Sequence, residues 1–338
     1  MSKIKFSFLL ISILTIFTLL AGCGQTQEGN ASSVSGELNF YTSQPDADAE
    51  KLISAFNEQY TDVNVTVYRS GTEEVISKVQ AEKQAGEVQA DVLLVADAVT
   101  FESLKKQDML LEYKSSEAEQ IPDSFVDSDG MYTGTKVMST ALVVNKEKVS
   151  EMPTSWKVLT DEGSSGQVVM PSPLYSGAAA YNLGVLTRHD DFDWEFYENI
   201  QANEPMITQG NGDVLKAVAN GEKSYGMVVD FIVARAEADG SPVKLVYPDE
   251  GVPVITEPIG IMNNTDNQPA AKAFVDFVLS QEGQELAAEI GYTPIREDVS
   301  APEGLKTIEE MNVLDADINE LYQNRELDKE QFNQLFGE

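Results

Sequence analysis

The chain has almost no cysteine, almost no histidine and no cluster of positive charge. Among 338 residues there is one Cys, Cys23, and one His, His189. A lone thiol cannot build a disulfide framework, so stability must come from packing. His189 sits in the acidic stretch Arg188-His189-Asp190-Asp191 and reads as a surface residue. Zinc sites and Ser-His-Asp triads therefore lack their parts, and no Gly-x-Ser-x-Gly nucleophile motif occurs. Lys and Arg number 23 against 56 Asp and Glu, a net charge of -33, with no basic block. Nucleic-acid binding, which rests on clustered cations neutralising phosphates, is excluded. No internal repeat is present, and no apolar run is long enough to span a bilayer, which takes about 20 residues.

What is present begins with Lys3 and Lys5, the apolar run 6–20, and Leu20-Ala21-Gly22-Cys23. A basic start, a short apolar stretch and small residues at its end are the parts of a secretory signal. Leu-Ala-Gly-Cys resembles the lipobox of bacterial lipoproteins, which implies lipidation of Cys23 and removal of residues 1–22. Two or more acyl chains hold a protein stably at a membrane, each buried CH₂ contributing roughly 0.8 kcal/mol. Residues 23–36 (CGQTQEGNASSVSG) have little to bury and read as a flexible tether. The rest exceeds what one hydrophobic core usually organises, so two lobes are expected.

From Glu37 strand-like and helix-like patterns alternate: 38–41, helix 46–60, Val63/Val65/Val67 at period two, helix 73–84, and the apolar run 90–96. This β-α-β-α-β order predicts α/β architecture with a doubly wound, mostly parallel sheet in each lobe. Further strands are expected at 140–144, 167–170, 225–229, 243–247 and 259–262, with helices at 213–219, 270–279 and 281–290. Lobe 1 is assigned to 37–140 plus 257–300, lobe 2 to 141–256, and 301–338 to a helical segment packing on both. Crossings near 138–145 and 251–258 make a two-segment hinge, with ligand between the lobes at the carboxyl ends of the strands.

The lipobox, 38–43 (LNFYTS), 90–92 (ADV), 176–178 (SGA), 220–222 (NGE) and 274–288 (FVDFVLSQEGQELAA) together resemble extracellular solute-binding proteins of bacterial ABC importers. The ferric-ion-binding branch, with its relatives for phosphonates and phosphorylated sugars, is the nearest in pattern. The resemblance implies the type 2 periplasmic-binding-protein fold, binding without catalysis or cofactor, and delivery of a small molecule to permease subunits driven by a separate ATPase. It implies a monomer held outside the cytoplasm by its lipid anchor. Where iron binders of this family carry a histidine, a carboxylate and two adjacent tyrosines, this chain has Pro45, Ala96, Phe231 and Ile232. None of these donates an anionic oxygen to a hard ferric ion, so no metal site is assigned.

The resemblance leaves the anion half of that site, the turn Ser176, Gly177, Ala178. A helix N-terminus there offers free amides and a favourable dipole, and Gly lets the backbone approach closely. Ser176 either adds a donor or caps the helix, and the same two readings hold for Asn211. Three acids are expected to converge opposite this cradle: Asp97 and Asp230, each directly after a strand, and Glu257 in the second crossover. Ser43, Ser70, Thr72 and Thr140 are expected on loops facing the same cleft. Arg69 is a candidate phosphate partner if its strand parity allows, and Tyr175 is either a wall or a core aromatic. The expected ligand is a phosphonate or phosphorylated solute, 2-aminoethylphosphonate or a sugar phosphate, its ammonium or hydroxyls meeting the acids. The alternatives are ferric iron held by other ligands and, in another class, a secreted hydrolase using paired acids.

Overall fold

The computed structural model describes residues 34–337. The signal segment 1–22, Cys23 and all but the last residues of the tether lie outside the described residues.

Two sheets organise the chain. The first has the order β2-β1-β3-β11-β4, built from β1 (Gly36–Thr42), β2 (Val63–Arg69), β3 (Val92–Leu94), β4 (Thr133–Gly134) and β11 (Pro258–Ile261). Between its first strands run α1 (Asp46–Gln59) and α2 (Thr72–Ala85), and α3 (Ala98–Lys106) follows β3. The second sheet runs β13-β10-β5-β8-β6-β7, from β5 (Lys136–Asn145), β6 (Val168–Pro171), β7 (Met206–Thr208), β8 (Tyr225–Val229), β10 (Val252–Ile255) and β13 (Val313–Leu314). Strands β9 (Val243–Val246) and β12 (Thr293–Pro294) also pair with β5. Its helices are α4 (Gly177–Leu186), α5 (Asp193–Ala202), α6 (Asn211–Ala219) and α7 (Asp230–Ala238). The chain ends with α8 (Gln268–Leu279), α9 (Gln281–Ile290) and α10 (Ile318–Phe336).

Both sheets are mixed, which refines the expectation of mostly parallel ones. Strands β1, β2 and β3 are parallel, as are β6, β7 and β8, whereas β11 is antiparallel to β3 and β5 to β8. The cause is the crossing: Val229 at the carboxyl end of β8 lies beside Thr140, and Leu94 at the end of β3 beside Ile259. A strand arriving from the other domain enters at the cleft-facing edge and must run away from it.

The first crossing falls at Thr135, earlier than the expected 138–145. All ten residues of β5 are buried, so its apolar run begins before the Thr140 that marks it in sequence. The second crossing is at residues 256–257. The two segments bond to each other there, Thr135 N donating to Thr256 O (2.9 Å) and Thr135 Oγ1 to Glu257 O (2.7 Å). At Gly134 the Cβ of any other residue would lie 2.9 Å from that of Thr256, so only glycine lets the two segments pass this closely.

The first domain's core centres on Phe274 of α8, fully buried, with ring centroids 4.8 Å from Phe40 and 4.9 Å from Phe56. The apolar face of α8 closes the sheet at the point where β1 carries its most buried residues. Phe274→Ala is expected to cost about 3–5 kcal/mol through the cavity it leaves, read as a lower urea midpoint with the slope unchanged.

Candidate functional site

Three helix N-termini meet where the domains touch. Helix α2 starts at Thr72 after the extended Gly71, α4 at Gly177 after Ser176, and α6 at Asn211 after Gly210. Each follows the carboxyl end of a strand, so the connecting turn aims the helix at the cleft, and first-turn amides have no acceptor within their own helix. Between them lies a cavity of about 380 Å³, within the range of small-molecule sites.

The two sides are in contact. A Cβ at Gly71 would lie 2.6 Å from the Tyr175 ring, and one at Gly177 would lie 2.8 Å from Thr72. Glu73 N donates to Tyr175 O across the gap at 3.2 Å. Deeper in, Asp48 of α1 pairs with Arg235 of α7 (2.9 Å) and accepts a hydrogen bond from the Tyr292 hydroxyl (2.6 Å). Tyr292 stacks on Phe231 with centroids 4.3 Å apart, and both rings line the cavity. The arrangement is a closed cleft.

Of the residues singled out in sequence, Ser43, Thr72, Ser176, Gly177, Ala178, Asn211 and Glu257 line this cavity, as do Arg69 and Tyr175. Ser43 Oγ and Thr72 Oγ1 both accept from Ala96 N, at 3.2 and 3.3 Å. Ser176 caps α4, its Oγ accepting from Ala179 N (3.2 Å), and also accepts from Asn211 Nδ2 (3.2 Å). Asn211 Oδ1 in turn accepts from Val229 N (3.1 Å). Asn211 is therefore not a cap: α6 begins on it and Gly210 stands in the cap position. Arg69 lies at the rim with Nε donating to Gln44 O (2.7 Å). Tyr175 is a wall, held between Gly71 and Gly210.

Four expectations are corrected. Asp97 does not line the cleft: fully buried, it caps α3 through Thr100 N (2.9 Å) and pairs with Arg325 of α10 (2.8 Å). Burial raises its pKa against the pull of Arg325. Asp230 also faces away from the cleft, accepting from Ser139 Oγ (2.6 Å), Tyr247 OH (3.2 Å) and Phe231 N (2.8 Å). As the first residue of α7 its side chain turns to Ser139 of β5 and to Tyr247, and burial pushes its pKa up to about 6 against those bonds. Ser70 bonds the Glu74 carboxylate on the outer surface. Thr140 is buried in the strand ladder opposite Val229. Strand-end position alone does not tell which way a side chain turns.

Of the three acids, only Glu257 lines the cavity. It is 4% exposed, with a backbone φ of 34°, and forms an ion pair with Lys136, itself 3% exposed. Burial raises its pKa and Lys136 opposes that. The Lys136 ammonium lies over the Tyr292 ring, 4.7 Å from its centroid. Sequence reading missed Lys136, Met138, Gln209, Gly212 and Tyr292. Lys136 precedes the strand expected at 140–144 and Met138 marked only the edge of the first crossing, and Tyr292 carried no signal beyond following Gly291.

Two α/β domains closing on a ligand-sized cleft are the architecture of type 2 periplasmic binding proteins. The chain belongs to the bacterial extracellular solute-binding proteins, whose family model matches residues 51–312. A probable ABC transporter periplasmic-binding protein of Sinorhizobium fredii is 28% identical over 218 residues, 61% of each chain. The periplasmic binding protein AfuA of Actinobacillus pleuropneumoniae, solved with fructose-6-phosphate bound, superposes with a TM-score of 0.82 at 22% identity, over 89% of this chain and 99% of that one. Iron-bound HitA of Pseudomonas aeruginosa gives 0.76 at 21% identity, over 88% and 99%.

Two outcomes test this geometry. Gly177→Val is expected to hold the domains apart, seen as a larger radius of gyration in solution scattering with circular dichroism unchanged. Asp230 has a folded pKa above its unfolded value of about 4, so its ionisation costs stability as pH rises from about 4 through about 6. Asp230→Asn removes that cost, and its stability relative to the unaltered chain should improve by on the order of 3 kcal/mol between pH 4 and pH 7 in urea melts.

Proposed function

We propose that the protein is the receptor of an ABC importer, lipid-anchored through Cys23 outside the cytoplasm, that closes as a monomer over one phosphorylated organic solute and hands it to permease subunits served by a separate ATPase. The observation that carries this reading is the pairing of the cleft's two ends. One end is made of helix N-termini bearing Ser176, Gly177, Asn211 and Gly212, with Arg69 at the rim. Such an end favours a phosphoryl group even though the whole chain is acidic, because contact donors act at short range while distant charges are screened within about 10 Å at 0.1 M salt. The other end is formed by Glu257 and the apolar surfaces of Met138, Phe231, Ile232 and Tyr292.

That second end discriminates between the two candidate solutes. An ammonium group needs an uncompensated carboxylate, and here Lys136 already neutralises Glu257. Asp97 and Asp230 are committed elsewhere, and Asp213, the other carboxylate lining the cavity, stands in the first turn of α6 at the phosphoryl end, away from Glu257 and the apolar wall. A hydroxyl needs only an acceptor, which a paired carboxylate still provides. The reading therefore favours a sugar phosphate over 2-aminoethylphosphonate, and AfuA's bound fructose-6-phosphate agrees with it. HitA's iron favours a different ligand. Against iron stand Pro45, Ala96, Phe231 and Ile232, all of which line the cavity without a donor oxygen. The Tyr292 hydroxyl is engaged with Asp48, and burial holds its pKa well above the ordinary range, so it stays a neutral phenol.

A thermal-shift panel of fructose-6-phosphate and other hexose phosphates, 2-aminoethylphosphonate, inorganic phosphate, ferric citrate and polyamines decides the question. A ligand at a hundred times its Kd stabilises by about 2.7 kcal/mol. The hexose phosphates are expected to give the largest shift, and Ser176→Phe to abolish it. Glu257→Gln is expected to weaken hexose phosphates about tenfold while changing inorganic phosphate little, since a hydrogen bond to a charged group contributes about 1.5–3 kcal/mol. A dominant shift with ferric citrate and none with any phosphate would overturn the reading.

A further inference from the structure

Helix α10 lies across both domains. It packs on α3 of the first domain and on α4 and α5 of the second. Its two sides are chemically unlike. Toward the second domain it buries Leu321 and Phe332, at 3% and 1% exposure. Leu321 sits on Gly184, where any Cβ would come within 2.8 Å of it, and Phe332 meets Tyr197 edge to face. Asp328 adds an ion pair with Arg188 at 2.8 Å. The strand before the helix, β13, pairs with β10 of the second sheet. The helix is thus anchored to the second domain by apolar burial and by backbone pairing.

Toward the first domain the hold is by charge. Arg325 Nη1 lies 2.8 Å from Asp97 and Nη2 2.7 Å from Glu73, and Lys329 Nζ lies 2.9 Å from Glu73. Lys106 adds a contact over the Tyr322 ring, 3.9 Å from its centroid. Glu73 directly follows Thr72, and Asp97 directly follows Ala96, so both partners adjoin residues that line the ligand cavity. The amide of Glu73 is the one that reaches Tyr175 O across the cleft.

We propose that α10 is an electrostatic strap: it travels with the second domain, and its Arg325 and Lys329 grip on Asp97 and Glu73 sets how far the unliganded domains stay closed. The asymmetry argues for this. Peeling Leu321 and Phe332 from α4 and α5 would expose apolar surface to water, whereas parting the charged side lets water solvate each ion. Asp97 is fully buried beside Arg325 of α10 and held at a φ of 86°, and lifting the strap would remove its only ion-pair partner among the described residues. The closed domains are thereby held from outside the cavity by groups that no ligand touches, so the effect is independent of what the cleft binds.

The test measures interdomain distance without ligand, by electron spin pairs at Gln84→Cys and Asn199→Cys. The detergent-solubilised full chain carries Cys23→Ser, which leaves the two labels as its only thiols. In R325Q/K329Q the long-distance population is expected to rise by roughly fivefold over the unaltered chain, the factor that about 1 kcal/mol gives. Lys329→Glu, which sets a second carboxylate against Glu73, is expected to raise the long-distance population further than Lys329→Gln does. A distribution for R325Q/K329Q that coincides with the parent overturns the proposal. Should Arg325→Gln abolish the cooperative thermal transition, Lys329→Gln alone carries the test, and no change in its distances overturns the proposal equally.

Discussion

The cleft depends on how closely two helix N-termini from different domains approach. Gly177 against Thr72, and Gly71 against Tyr175, leave no room for a side chain at either glycine. Because each helix follows the carboxyl end of a strand, closing this gap gathers orphan amides, the Ser176 hydroxyl and the Asn211 amide into one concave surface. The bridge from Val229 N through Asn211 to Ser176 ties β8, α6 and α4 together, so the donor set is rigid before any ligand arrives. A preorganised cradle of this kind loses little conformational entropy on binding.

Charge is arranged by the same logic. A chain of net charge -33 repels anions at long range, yet of the two carboxylates lining the cavity, Asp213 and Glu257, one is already paired, and the acids around the cavity are paired as well. Glu257 is matched by Lys136, Asp48 by Arg235, and Asp97 and Glu73 by Arg325 and Lys329. These pairs sit at the hinge, beside the cavity and under α10. A buried pair adds little net stability, but breaking one by removing a partner is costly, which favours one relative position of the domains over intermediate ones. The acids that in sequence look like ligand contacts are, for the most part, structural partners of scarce cations.

Membership of the bacterial extracellular solute-binding proteins accounts for the architecture, and AfuA and HitA, which share the fold, hold ligands as different as fructose-6-phosphate and iron. What separates them on a common scaffold is the few side chains at the domain junction. Here Pro45, Ala96, Phe231 and Ile232 make one part of that junction apolar, and Met138 and Tyr292 extend the patch. On the function proposed above, this apolar wall beside the helix N-termini would pack against the organic body of the solute.

The alternation of β-rich and helical runs, the turn at Ser176-Gly177-Ala178 and the second crossing were legible in the chain, because each depends on local periodicity or residue chemistry. The direction of a side chain at a strand end was not. Asp97 and Asp230 stand at equivalent positions in sequence, yet one caps α3 under Arg325, 228 residues away, and the other turns to Ser139 and Tyr247. Pairings such as Glu257 with Lys136 and Tyr292 with Asp48 join residues far apart along the chain: the crossing at Thr135 and Thr256 brings the first together, and the pairing of β12 with β5 holds Tyr292 near the second. Sequence set which residues had to be buried and where helices had to begin; the tertiary structure decided which charges met, since that depends on distances no local pattern encodes.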